Sequence, residues 1–220
     1  MNLELKKRIF TSVLLICLLI LMYFYNFVLV VCSTLIAVIA WIEFVNMINR
    51  IFLNKSLMNK IFSFLSKGFF FIYLISLIYL VFDTQINSPH LVIFVIYSIL
   101  ISIMTDIGGL VVGKTFGGRK LTNISPKKTI SGAIGSLVFS LFLVPIFTNQ
   151  FTKFNILDFV IITVLISLTS QIGDLFISFL KRKSKLKNTS DILPGHGGIL
   201  DRIDGIIFSI PIGFLLLSIF

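Results

Sequence analysis

The stretch Leu193–Gly205, LPGHGGILDRIDG, sets a histidine, two aspartates and an arginine among glycines at the start of the last apolar run. Asp201 and Asp204 stand three residues apart, a spacing that gives them one face of a helix. Two further acids interrupt apolar runs upstream: Asp106 in MTDIGGLVVGK and Asp174 in SQIGDLFISF. Basic residues gather nearby in two boxes. One holds Lys181, Arg182, Lys183, Lys185, Lys187 and Arg202; the other is GKTFGGRKLTNISPKKTISG, 113–132. Carboxylates set against Lys and Arg form the arrangement that holds Mg²⁺ together with phosphates. The acids ligate the metal, the basic groups neutralise phosphate oxygens, and substrate oxygens complete the octahedron. On spacing alone the bland alternative stays open, most evenly for Asp106: these acids would then only pair with Lys and Arg at a membrane interface.

His196, between Gly195 and Gly197 and close to two acids, is placed to contact phosphate or orient a ligand. Gly117–Gly118 would let backbone N–H groups approach a phosphate. The segment lacks the GxxxxGK[ST] order of a P-loop, and no strand precedes it. Glu43, in WIEFV, has no glycine or basic cluster beside it and is expected to pair with a Lys or Arg at the interface. His90 is left without a role. Cys17 and Cys32 lie in apolar segments without metal-ligand spacing and read as small core residues.

The elements that must position these residues are membrane spans. Of the 220 residues 57% are hydrophobic and only 13% charged, and the mean hydropathy is +1.06. A soluble domain carries about a quarter charged residues. Seven spans can be drawn: 9–25, 27–47, 67–82, 91–112, 133–148, 156–180 and about 200–220. The expected fold is therefore an all-α integral membrane protein, a polytopic bundle of about seven transmembrane helices. The KKR start followed by an apolar run is similar to a signal peptide. No small-residue cleavage site intervenes before the next apolar segment, so 9–25 is expected to stay as a first span.

The net charge of +10 would suit nucleic acid, but no basic stripe is interleaved with aromatics on a soluble domain, and nucleic acid is excluded as a partner. Basic loops against anionic lipid or around a phosphate-bearing substrate fit better. With the amino terminus cytoplasmic, the inner segments 1–8, 48–66, 113–132 and 181–199 hold three, three, five and five Lys or Arg. Lys67 and Arg202 add to that side, against Lys153 alone outside. All the candidate site residues then face the cytoplasm. The apolar run Ile206–Phe220 covers roughly 22 Å of helix, short for a hydrocarbon core, so the last helix is expected to begin near Leu200. Two regions follow: 1–104, amino-terminal spans, and 105–220, a catalytic region with polar loops 113–132 and 181–199.

The carboxy-terminal half resembles the phosphatidate cytidylyltransferase (CDP-diacylglycerol synthase) family. The residues that carry this resemblance are Ser178, Lys181-Arg182, Lys187, Pro194, His196-Gly197-Gly198, Asp201-Arg202 and Asp204 at the family's spacing. QIGDL at 171–175, SPKKT at 125–129 and Asp106 followed by Gly113 and Gly117 add to it. Three positions depart: Asn188 where the family has Asp, Ser131 where it has Glu, and Gly109-Leu110 where it has Ala-Tyr. The chain is also short for the family, which implies fewer amino-terminal spans.

The resemblance implies transfer of CMP from CTP to phosphatidic acid, giving CDP-diacylglycerol and pyrophosphate for phospholipid synthesis in a bacterial cytoplasmic membrane. It implies Asp174 and Asp201 as Mg²⁺ ligands, with Asp204 as ligand or support, for one ion or two. Lys181, Arg182, Lys187 and Arg202 would hold phosphates, assisted by His196. Asp106, Ser125, Lys127, Lys128, Gly197 and Gly198 would lie on the substrate side, and a homodimer is one assembly considered.

Two other functions compete. A CTP-dependent polyprenol or phytol kinase would use similar acids but release CDP, and the complete HGGILDRID ending argues against it. An ion-coupled transporter would place its ionisable groups near the midplane rather than at the inner ends of the spans.

Overall fold

The computed structural model describes residues 17, 18, 20–22, 24–53, 56–122, 124–151, 154–192 and 197–219. The elements are α1 (Asn26–Ile51), α2 (Leu57–Ile86), a short 3₁₀ turn at Pro89–Leu91, α3 (Val92–Phe116), α4 (Ile130–Leu141), α5 (Leu143–Phe147), α6 (Ile156–Lys183), α7 (Leu200–Ile203) and α8 (Ile206–Ile219). An isolated antiparallel bridge pairs Lys120 with Thr129. Six stretches are long and apolar enough to cross a membrane: 26–51, 57–86, 89–116, 130–147, 156–183 and 200–219. The protein is an all-α, multi-pass membrane protein. The expected first span, 9–25, lies largely outside the described residues.

Three spans differ in detail from expectation, each for a local reason. α2 begins at Leu57 rather than near Lys67, because Ser56 caps it by accepting from the Asn59 N–H at 3.3 Å. Lys67 does not end the helix. Its ammonium reaches Asn49 Oδ1 at 2.6 Å. The stretch 130–147 divides at Phe142, since Pro145 has no N–H and its ring crowds the carbonyl of Leu141. The last span divides too: α7 ends at Ile203, Asp204-Gly205 form a turn, and α8 follows. The single helical face expected for Asp201 and Asp204 is therefore not formed.

The chain forms two compact units, one of residues through Pro89 with Leu180–Ile203, the other of His90–Phe179 with Asp204–Phe220. In the first, α1 and α2 pack through stacked Phe44 and Phe70, whose ring centroids are 4.0 Å apart. Phe62, Phe64, Phe69 and Ile72 remain exposed on α2, as a helix facing lipid requires.

In the second unit α3 is central. It meets α4 through small residues; a Cβ on Gly108 would stand 2.5 Å from the Gly135 carbonyl oxygen. Three buried hydroxyl pairs clasp α3 to α6: Tyr97–Thr163, Ser102–Ser170 and Thr105–Ser167, each at 2.7 Å. Such bonds inside a membrane contribute about 0.6 kcal/mol each. Around Tyr97 an aromatic core of Phe147, Phe151 and Phe159 fills the space, with centroids 4.9 to 5.2 Å apart along the nearest pairs.

Candidate active site

The first cluster lies in the second unit. α3 stops at Phe116 because Gly117 and Gly118 take positive φ, 58° and 110°, which turns the chain out of the helix. The segment then folds back on itself. Leu121 N–H donates to the Lys128 carbonyl at 2.8 Å and Ile130 N–H to that of Arg119 at 3.0 Å. Ser125-Pro126-Lys127-Lys128 closes the loop as a turn, with Lys128 N–H donating to the Ser125 carbonyl at 3.0 Å. Pro at the second position pre-sets that turn. Thr129 caps α4 by accepting from Gly132 N–H at 3.1 Å, and the Ser131 hydroxyl donates to the Gly117 carbonyl. Ser131, where the family carries Glu, thus ties together the two ends of the loop.

This framework delivers Lys128 onto Asp174 of α6: its ammonium donates to Oδ2, and Ser178, one turn on, donates to Oδ1 at 3.3 Å. Lys127, its neighbour, stays exposed. Beside Asp174, Gly173 lets the Asp204-Gly205 turn approach; a Cβ there would stand 2.8 Å from the Asp204 carbonyl oxygen. Asp204 is buried, and its Oδ1 accepts the Gly205 N–H at 3.0 Å. Asp106 lies on the exposed side of α3.

The second cluster lies in the first unit. α6 ends in a Schellman cap: Leu186 N–H donates to the Lys181 carbonyl at 2.9 Å and Lys185 N–H to that of Arg182 at 3.1 Å. Lys185 takes the left-handed conformation, φ 57°, usually given to glycine. The chain then returns to Asp201. Its Oδ1 accepts the Lys181 ammonium at 2.7 Å. Its Oδ2 faces Thr189 N–H at 2.9 Å, the Thr189 hydroxyl at 3.0 Å and Gly198 N–H at 3.1 Å. Gly197 has φ 85°, and Asn188 packs against it. A Cβ on Gly198 would stand 2.0 Å from Thr189 Oγ1 and 2.6 Å from both Glu43 oxygens. Arg182, Lys187 and Arg202 are exposed. His196 and Pro194 lie outside the described residues.

Glu43 corrects an expectation. It does not pair with Lys or Arg at an interface. It is buried at 1% exposure, and its carboxylate accepts from the Thr189 hydroxyl (2.7 Å), the Ser190 hydroxyl (2.5 Å) and the N–H groups of Ile199 (3.0 Å) and Leu200 (2.8 Å). Thr189 and Ser190 were not singled out from sequence, and Glu43 was given no functional role there. The available signal was an acid inside an apolar span, functional by default.

Among the described residues no three His, Cys, Asp or Glu gather to hold a metal. Mg²⁺ is usually held by one or two carboxylates, with waters and substrate phosphates filling its other positions. Asp174 Oδ2 and Asp201 Oδ1 each face a single flexible ammonium. A hard oxygen donor neutralised by a cation that can swing away suits such an ion.

Fold and site together define a class: a helical multi-pass membrane protein whose polar loops pair carboxylates with lysines. Residues 8–220 match the model of the cytidylyltransferase family, and the chain belongs to that family. The resemblance carried by LPGHGGILDRIDG and its upstream motifs is borne out at that level. The chain is 40% identical over 153 residues to the phosphatidate cytidylyltransferase of Staphylococcus aureus (strain COL), covering 68% of this chain and 54% of that protein. It is 41% identical over 130 residues to that of Bacillus subtilis (strain 168), covering 58% and 48%. For Staphylococcus saprophyticus the match is 39% over 139 residues, covering 62% and 52%. The chain spans about half the length of these curated relatives.

Proposed function

We propose that the protein transfers CMP from CTP to phosphatidic acid, at the cytoplasmic face of a bacterial membrane, giving CDP-diacylglycerol and pyrophosphate. The observation that carries this reading is the pairing of motif acids with motif lysines. Asp174 of QIGDL holds Lys128 of SPKKT, and Asp201 holds Lys181, residues far apart in the chain. The names of the relatives supply the substrates.

In this reaction a lipid phosphate oxygen attacks the α-phosphorus of CTP in line. The new P–O bond forms as the bond from that phosphorus to the bridging oxygen breaks, and pyrophosphate leaves with the electron pair. The nucleophile is already an anion, so no side chain has to remove a proton. Positioning and charge neutralisation supply the catalysis. Asp174 and Asp204 of one unit, and Asp201 of the other, are the carboxylates that would ligate Mg²⁺, as one ion or two, and the metal would neutralise charge on the triphosphate. Lys128 and Lys181 neutralise phosphate oxygens once released from their acids, and the exposed Lys127, Arg182, Lys187 and Arg202 draw both phosphate-bearing substrates to the surface. His196 would add a phosphate contact.

The test is purified protein in lipid vesicles with CTP labelled on the α-phosphate and phosphatidic acid. Label appearing in the lipid, with release of pyrophosphate, is the expected result. Label leaving as CDP with an alcohol acceptor would point to the kinase. No CTP turnover, together with ion uptake into vesicles, would point to a transporter.

A further inference from the structure

We infer that Glu43 is a positioning residue for the Asp201 loop, an assignment that deepens the proposed reaction and rests on Asp201 being part of its site. Glu43 sits in α1, far upstream of the motifs, yet its carboxylate is the point on which the 189–200 segment closes. It takes two hydroxyls, Thr189 and Ser190, from the start of that segment and two backbone N–H groups, Ile199 and Leu200, from its end. An ionised carboxylate has about four acceptor positions. All are used, and all are used on one loop.

The link to Asp201 is direct. Thr189 Oγ1 lies 2.7 Å from Glu43 Oε2 and 3.0 Å from Asp201 Oδ2. A hydroxyl carries one hydrogen, so Thr189 can donate to one of these carboxylates at a time. Its backbone N–H, at 2.9 Å, also holds Asp201 Oδ2. Glu43 therefore fixes the residue that fixes one Asp201 oxygen, leaving Oδ1 to Lys181 and, in the proposed reaction, to the metal. Gly198 completes the fit, since any side chain there would displace both Glu43 oxygens. A basic partner would have given Glu43 a structural role only. Four neutral donors from one loop give it a role in that loop's geometry.

The experiment uses the full chain with Glu43→Gln, Thr189→Val and the double variant. An amide in place of the carboxylate turns an NH₂ group toward donors and cannot hold both hydroxyls and both N–H groups. Hydrogen exchange at residues 197–203 is expected to quicken in Glu43→Gln while α2 keeps its protection. Turnover should fall about 10–100-fold and the Mg²⁺ requirement should rise, as when a group that orients a metal ligand is lost. The KM for phosphatidic acid should be unchanged. The double variant should be no worse than the poorer single one.

Unchanged exchange at 197–203 would overturn the assignment. So would quickened exchange with unaltered turnover and Mg²⁺ dependence, or single effects that simply multiply. Wild-type protein that makes no CDP-diacylglycerol would instead defeat the proposed reaction, and the exchange result would still decide whether Glu43 holds the loop. Should Glu43→Gln fail to fold, Thr189→Val, which keeps the side-chain shape, must show the same quickened exchange and raised Mg²⁺ requirement.

Discussion

The two carboxylate–lysine pairs are built in opposite ways. Asp174 stands on a regular helix, and its described partners are two side chains, Lys128 and Ser178. Asp201 stands at the start of a four-residue helix and is held by two backbone N–H groups and an ammonium, with the Thr189 hydroxyl shared between it and Glu43. The Asp174 side chain is 23% exposed and that of Asp201 9%. Asp174 is thus the adaptable carboxylate, placed by a helix and free to change partners as Lys128 moves. Asp201 is the one around which a loop is folded. It can offer Oδ1 to a ligand only by releasing Lys181, while Oδ2 stays committed to the backbone. Under the proposed reaction both acids serve a metal, but only one of them also holds its own site together.

The largest effects test that difference. Asp174→Asn and Asp201→Asn should each lower CMP transfer on the order of 10²–10³-fold, as loss of a charged group at a polarised transition state does. Only Asp201→Asn should also lower the unfolding temperature of the detergent-solubilised protein, because its amide nitrogen faces donors. Equal loss of stability in the two variants would break the comparison. Full activity in either would remove that acid from the metal site.

Next come the lysines. Lys181→Met leaves a nearly buried carboxylate without its counter-charge and should cost about 3 kcal/mol, the lower end for breaking a buried pair. Lys128→Met, whose pair is roughly a quarter exposed, should cost under about 1 kcal/mol. Chemical unfolding of the two variants side by side reads this directly. The activity of both should fall, so stability and turnover separate at Lys128 and fall together at Lys181. An effect between those of the two lysine variants is expected of Gly198→Ala. Its Cβ would press on Thr189 and Glu43, and overpacking of this kind costs about 1–3 kcal/mol. Gly68→Ala, on α2 with open space around it, serves as the control and should not destabilise.

What could be read from the chain depended on the range of the interaction. The apolar runs placed most of the described spans within a few residues, the start of α2 ten residues early being the exception, because burial in lipid demands length and composition that few other structures need. The motif residues Asp174, Lys128, Lys181 and Asp201 were legible as chemistry, though not as pairs. SPKKT and QIGDL carry no mark that Lys128 rather than Lys127 would reach the acid; that choice is made by the Pro126 turn. The helical start at Leu200 was legible from the shortness of Ile206–Phe220, while the break at Asp204-Gly205 was not, since the i, i+3 spacing alone suggested one helix. Glu43 was furthest from reach. Its partner Thr189 lies 146 residues away, and no local pattern relates an acid in one span to a hydroxyl in a loop.

The smallest expected effect concerns how the Asp201 loop begins. Lys185 holds a left-handed backbone, φ 57°, at the position of the Schellman cap that glycine favours. An L-residue there costs about 1–2 kcal/mol against glycine, partly offset by the greater freedom glycine has when unfolded. Lys185→Gly should therefore stabilise the protein by up to about 1 kcal/mol and leave turnover unchanged, since Lys185 is exposed and touches neither acid. A loss of stability would mean that the lysine chain itself steadies the loop. A loss of turnover at unchanged stability would mean that its charge helps to gather phosphate. In either case Asp201 would depend on its approach loop for more than shape, and the contrast with the helix-borne Asp174 would widen.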